Sequence, residues 1–182
     1  MNIKQRINAR KVVLSYIYQY RFFLNLESQD NVAIESLFID NIFKTDNEKF
    51  DVAKKAYGKS IEKYTQAPKS EEDLLWFVDL FFDERDKADI DFEYIFKIGL
   101  NFSKYEATVI EKVNALTESF KFDQMDIIDQ ALFILWYTEW KELETPKEIL
   151  INEIIELAKR YSDDGAPKLL NGIIHKIVNE SV

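Results

Sequence analysis

Apolar side chains recur through this chain at i, i+3, i+4 and i+7, the spacing of one face of a helix. Residues 3–26 form one such stretch, with Val13, Ile17, Tyr20 and Leu24 as its inner stripe. Residues 31–43 predict a second helix around Ile34, Leu37, Phe38 and Ile42. Thr45 to Glu48 reads as a capping box opening a third, with Phe50, Ala53, Tyr57, Ile61 and Tyr64 inside and Ala67-Pro68 ending it. Ser70 to Asp73 caps the apolar run Leu74 to Phe82. Further on, Ser103 and Glu106 cap a helix carrying Val109, Ile110, Val113 and Leu116. Asp123 opens the next, which holds the run Ala131 to Leu135 and the aromatics Trp136, Tyr137 and Trp140.

The last two helices are the most sharply written. Thr145, Pro146 and Glu148 have the order of N-cap, first helical residue and capping-box acid, before a stripe of Ile151, Ile154, Ile155 and Ala158. Ser162 to Gly165 break that helix, and Pro167 begins another with Leu170, Ile173, Ile174 and Ile177. Two stripes and a short turn predict a helical hairpin. Gly172, inside the second helix, costs about 1 kcal/mol against alanine. The expectation is that another backbone comes close there.

Composition agrees with an all-α domain. Only 4 glycines and 3 prolines punctuate 182 residues, and 47% of the chain is hydrophobic. The absence of cysteine excludes disulfides and thiolate zinc sites and is compatible with a cytoplasmic location. No apolar run reaches the length of a membrane span, and no secretion signal is visible. The single histidine, His175, has no partner at metal-ligand spacing, and the phosphate-loop and dinucleotide glycine motifs are missing. The chain therefore offers no catalytic residue, metal site or cofactor site, and it is not expected to be an enzyme.

Charge is distributed unevenly. The net charge is −9, yet residues 1–26 carry Lys4, Arg6, Arg10, Lys11 and Arg21 and no acid. Arg6 and Arg10 lie one turn apart, which suits either a solvated helix end or a row of phosphate contacts. Leu74 to Phe82 is too short for a bilayer and too apolar for water, so it is either a buried core helix or a partner-binding one. Phe77, Leu80 and Phe81 are expected inside, with Trp76 partly exposed at a protein contact. The acid-rich stretch Asp83 to Asp91 is expected to be a solvated loop.

Several of these motifs resemble the NusB antitermination family. The resemblance is carried by Ile151 to Tyr161 and Lys168 to Ile174 at the C-terminus, and by Gly99-Leu100-Asn101 and Asp129 to Leu135 before them. Arg6, Ala9-Arg10-Lys11 and Ile17-Tyr18-Gln19 resemble the family's first helix, with Lys11 in place of an acid. Ile134 stands where the family has an arginine, so packing is expected to replace an ion pair. In the turn Asp163 to Lys168, Gly-Ala-Pro replaces part of the family's polar caps, while Lys168 keeps its place. The resemblance covers about 4–26 and 94–178.

The resemblance implies an all-α NusB-like bundle of two packed subdomains, read as a single domain over 1–182 with an inserted helical segment at about 44–90. It implies an RNA-binding transcription antitermination factor acting on boxA elements of ribosomal RNA leaders. Its partners would be the ribosomal protein NusE and the transcription elongation complex, in the cytoplasm and away from membranes, with a homodimer left open. Lys4, Arg6, Arg10 and Lys11 would contact RNA, and Trp76 and Lys168 would contact a protein partner. Two alternatives stand beside this: a protein-interaction adaptor of the same fold without RNA binding, and a detached RNA-recognition domain of a ribosomal RNA methyltransferase.

Overall fold

The computed structural model describes residues 2–28, 62–81, 87–118 and 120–180, with the side chains of 27, 28 and 81 outside that description. Among these residues lie seven helices and no strand: α1 (Ile3–Ser28), α2 (Glu71–Phe81), α3 (Phe92–Gly99), α4 (Phe102–Leu116), α5 (Ile127–Glu142), α6 (Lys147–Tyr161) and α7 (Ala166–Glu180). The expected helices at 31–43 and from Thr45, together with Phe82 and Asp83 to Asp86, fall outside the described residues.

The chain divides into two compact units, 1–18 with 68–182, and 19–67. The second unit overlaps the expected insertion at about 44–90 only in part. Its described residues include Phe23, which stacks on Tyr64 at 4.8 Å and takes the edge of Phe22 at 5.4 Å.

The first unit is organised around α5. Every residue from Asp129 to Glu139 is buried, so this helix is enclosed all round instead of showing one apolar stripe. It packs against α3, α4, α6 and α7. Ile134, without exposed surface, packs where an arginine would need a partner. The predicted hairpin is present, α6 packing on α7, with Leu170, Ile173, Ile174 and Ile177 buried as the spacing required. On α6 the stripe is Leu150, Ile151, Ile154, Leu157 and Ala158, while Ile155 is half-buried.

Helix starts depart from expectation in instructive ways. Thr145 does not cap α6: Pro146 holds the cap position, and the Thr145 hydroxyl donates to Glu139 Oε1 at 3.2 Å. A buried carboxylate needs donors more than an exposed helix end needs an acceptor. Asp126, not Asp123, precedes α5, because Phe122–Gln124 form a 3-10 turn. α4 starts at Phe102, one residue before the expected Ser103 cap. Before α2, the Asp73 carboxylate accepts from the N–H groups of Lys69 and Ser70 at 2.9 and 3.1 Å, the returning half of a capping box. Asp163, expected only to break α6, caps α7 by accepting from the N–H groups of Gly165 and Ala166, both at 2.9 Å.

Two expectations about packing are corrected. Leu80 is 56% exposed, since α2 turns Leu74, Phe77 and Val78 inward and leaves Leu75, Trp76 and Leu80 outside. Gly172 is exposed, and nothing lies within 4 Å of where its Cβ would stand. The close approach occurs instead at Gly99, whose added Cβ would meet the two Leu74 methyls at 2.8 and 2.9 Å.

The two glycines should therefore respond in opposite senses. Gly172→Ala removes a helix-interior glycine at no steric cost and should stabilise by about 0.5–1 kcal/mol. Gly99→Val drives extra volume against buried Leu74 and should cost about 1–3 kcal/mol. Urea unfolding midpoints decide both, and equal shifts of one sign would contradict this account.

Candidate nucleic-acid interface

Lys4, Arg6, Arg10 and Lys11 were expected to contact RNA. The structure sends them in different directions, because a helix advances 100° per residue and meets different neighbours on each side. Lys4 is exposed and paired with Asp89. Arg6 is half-buried: its Nε donates to Asp91 Oδ2 at 3.0 Å, and its guanidinium lies 4.7 Å from the centre of the Tyr94 ring. Arg10 is only 5% exposed. It is thus not the surface cation that the resemblance implied.

Arg10 is held by a buried carboxylate on α5. Its Nε and Nη2 donate to the two oxygens of Glu139, both at 2.8 Å, in the two-pronged geometry that guanidinium and carboxylate share. Its Nη1 donates to Glu153 on α6 at 2.8 Å. The Tyr94 hydroxyl donates to Glu139 Oε2 at 2.6 Å, so α1, α3, α5 and α6 meet at one cluster. Burial works against the charge of Arg10, but the hydrogen bonds and charge of Glu139, with Tyr94 and Glu153, outweigh it and raise its pKa above the usual arginine value. Burial, and then the Glu139 charge, push the Tyr94 phenol well above its ordinary value, which keeps it a donor.

Lys11 is half-buried and lines a cleft between α1 and α6, of about 350 Å³, with Ile7, Arg10, Glu153, Glu156, Leu157, Lys159 and Arg160. Lys159 and Arg160 are exposed at its rim, and Lys159 pairs with Glu156 at 2.6 Å. Arg10 and Glu153 satisfy each other within it. The two expected partner residues lie elsewhere. Trp76 is 38% exposed on α2. Lys168 borders an open groove between α4 and α7, of about 450 Å³, with Leu116, Leu169, Gly172 and Lys176. Among the described residues no group of three or more acidic or histidine side chains could hold a metal ion, and His175 is exposed.

Sequence reasoning passed over Glu139, Tyr94 and Glu153. A signal existed for Glu139, an acid lying between the aromatics Trp136 and Trp140, since a charge among such side chains is kept only with a partner. Lys159 and Arg160 carried the resemblance but were not marked as contacts.

Comparison with known proteins now bears on the chain. A family model described as NusB family matches residues 53–179. The chain belongs to the NusB family. The transcription antitermination protein NusB of Campylobacter lari is 33% identical over 104 residues, covering 57% of this chain and 79% of that protein. That of Staphylococcus carnosus is 27% identical over 92 residues, covering 50% and 72%. The solved structure of T. maritima NusB shares the fold, with a TM-score of 0.58 at 18% identity over 98% of this chain and 92% of that one. The NusB family match begins within the segment expected to be an insertion, whereas α1 lies before it.

Removing one half of the buried pair should be far costlier than removing a surface one. Arg10→Ala leaves Glu139 charged and buried, and should destabilise by about 3–5 kcal/mol in chemical denaturation. Lys4→Ala should cost less than about 1 kcal/mol. Comparable losses would show that Glu139 is not the anchor.

Asp129 supplies a pH test. Burial, together with the charges of Asp126 and Asp163, raises its pKa, and the hydroxyl of Ser162, donating at 2.6 Å, opposes this in part. A carboxyl whose folded pKa is raised resists ionisation in the native state, so it lowers stability as pH rises through the folded value. Asp129→Asn should therefore raise Tm at pH 7, with the gain shrinking as the pH falls toward 4. A constant difference across that range would exclude the titration.

Proposed function

We propose that this NusB-family chain is a transcription antitermination factor that binds RNA, and that it is a non-enzymatic protein of the cytoplasm. The observation that carries the reading is family membership combined with the open cationic cleft of Lys11, Lys159 and Arg160. No helix among the described residues is long and apolar enough to cross a membrane. The ligand proposed is a boxA-type ribosomal leader RNA, bound together with ribosomal protein NusE within the elongation complex.

The contacts are assigned differently from a simple row on α1. Lys11, Lys159 and Arg160 meet phosphates directly, Lys4 joins them when Asp89 gives way, and Arg6 and Arg10 hold α1 in place. Such contacts give affinity and register but little base discrimination. Specificity is then left to a partner protein or to base contacts elsewhere on the surface.

Titration with boxA-type RNA at several salt concentrations, with and without NusE, tests this. Lys11→Ala, Lys159→Ala and Arg160→Ala together should weaken binding at every sequence and flatten the log–log salt slope by about 2, near 0.7 for each lost single-strand phosphate contact. Unchanged affinity in a folded triple variant would remove the cleft from the interface.

A second reading has one observation in its favour: Leu75, Trp76 and Leu80 are exposed side by side on α2 at 37%, 38% and 56%. A protein-interaction adaptor would use that face, with Lys168 in the separate groove between α4 and α7 as a second contact. Trp76→Ala would then abolish partner capture while leaving RNA affinity intact.

A further inference from the structure

The acid-rich stretch before α3 is not a solvated loop where it is described, because it lies along the first turns of α1. Gln5 Nε2 donates to the Ala88 carbonyl and Asn8 Nδ2 to the Asp89 carbonyl, both at 3.1 Å. The Asp91 N–H donates to the Gln5 carbonyl at 3.4 Å. Ile90, 6% exposed, is buried between the two acids. On this uncharged frame two carboxylates face two cations: Asp89 meets the Lys4 ammonium, and Asp91 accepts from Arg6.

A carboxylate on a cation takes the place a phosphate oxygen would take, with the same sign of charge and the same acceptor chemistry. We propose that the strap 87–91 is an intramolecular competitor for phosphate at the N-terminal end of α1. It cancels Lys4 and Arg6 and confines anion affinity to the Lys11, Lys159 and Arg160 cleft. This inference rests on the nucleic-acid reading above.

The two pairs yield unequally. The side chains of Lys4 and Asp89 are 68% and 45% exposed, so a polyanion displaces that carboxylate readily. Arg6 and Asp91 are each 16% exposed, and Asp91 also caps α3 by accepting from the Tyr94 N–H at 3.0 Å. The strap therefore releases Lys4 first, and Arg6 stays neutralised.

Five variants of the full chain test the strap against short poly(U) RNA and heparin. Asp89→Asn removes one carboxylate without touching the backbone frame. Asp91→Ser removes the other while keeping a residue that caps helices well. Asp164→Asn, in the turn between α6 and α7, changes the net charge equally and serves as the control. Asp89→Asn should raise affinity for both probes by up to about fivefold at low salt, an advantage that high salt erases. Asp91→Ser combined with Asp89→Asn, the strap double variant, should add to it, and Lys4→Ala in the Asp89→Asn background should abolish the first gain.

If the parent binds and Asp89→Asn gains no more than Asp164→Asn, the strap is overturned and the RNA reading stands. If the parent does not bind but the strap double variant does, the strap is upheld and the RNA reading fails for the intact chain. If neither binds either probe, both are overturned.

Discussion

A single buried carboxylate on α5 ties α1, α3 and α6 of the larger unit together. Glu139 has no exposed surface, and an uncompensated charge there would cost several kcal/mol. It is kept because Arg10, Tyr94 and Thr145 bring donors to it from α1, from α3 and from the turn before α6. α3 and α6 pack on α5 through apolar surface that would tolerate small rotations and slides. The ion pair does not tolerate them. Hydrophobic burial supplies the bulk of the stabilisation here, and the Glu139 cluster fixes the relative setting of the helices.

That arrangement decides what the basic helix is free to do. Five cations precede the first acid in the sequence, and a surface row of them would make a strong anion-binding helix. One is consumed by the core and two are faced by acids just before α3. Lys11, farther along α1, instead shares a cleft with Lys159 and Arg160 of α6. An acidic protein with a net charge of −9 thus has a localised cationic cleft without having a cationic helix.

The C-terminal hairpin shows the same division between local pattern and context. Its helices, its turn and its buried stripe were legible from spacing alone. Yet the hairpin is one of several elements laid on α5, and that central helix shows little periodicity of its own. A helix buried on all sides has no reason to be amphipathic, so the strongest pattern marked a flank of the core and not its middle.

The sequence by itself determined the helical class, the positions of α1, α2 and α4 to α7 within a few residues, the stripe of α7, that of α1 except for half-buried Leu24, and the family. Those follow from short-range periodicity and from motifs that sit within a turn or two of each other. Only the tertiary structure decided that Arg10 faces inward, that Gly99 and not Gly172 is the site of close approach, and that Asp163 caps a helix it was expected merely to precede. It also turned Leu80 outward and set Asp89 and Asp91 on α1. Each of these depends on which residue from a distant segment arrives at a given face. Periodicity says that a face is buried or charged, but the partner on that face is chosen by packing between helices far apart in the chain.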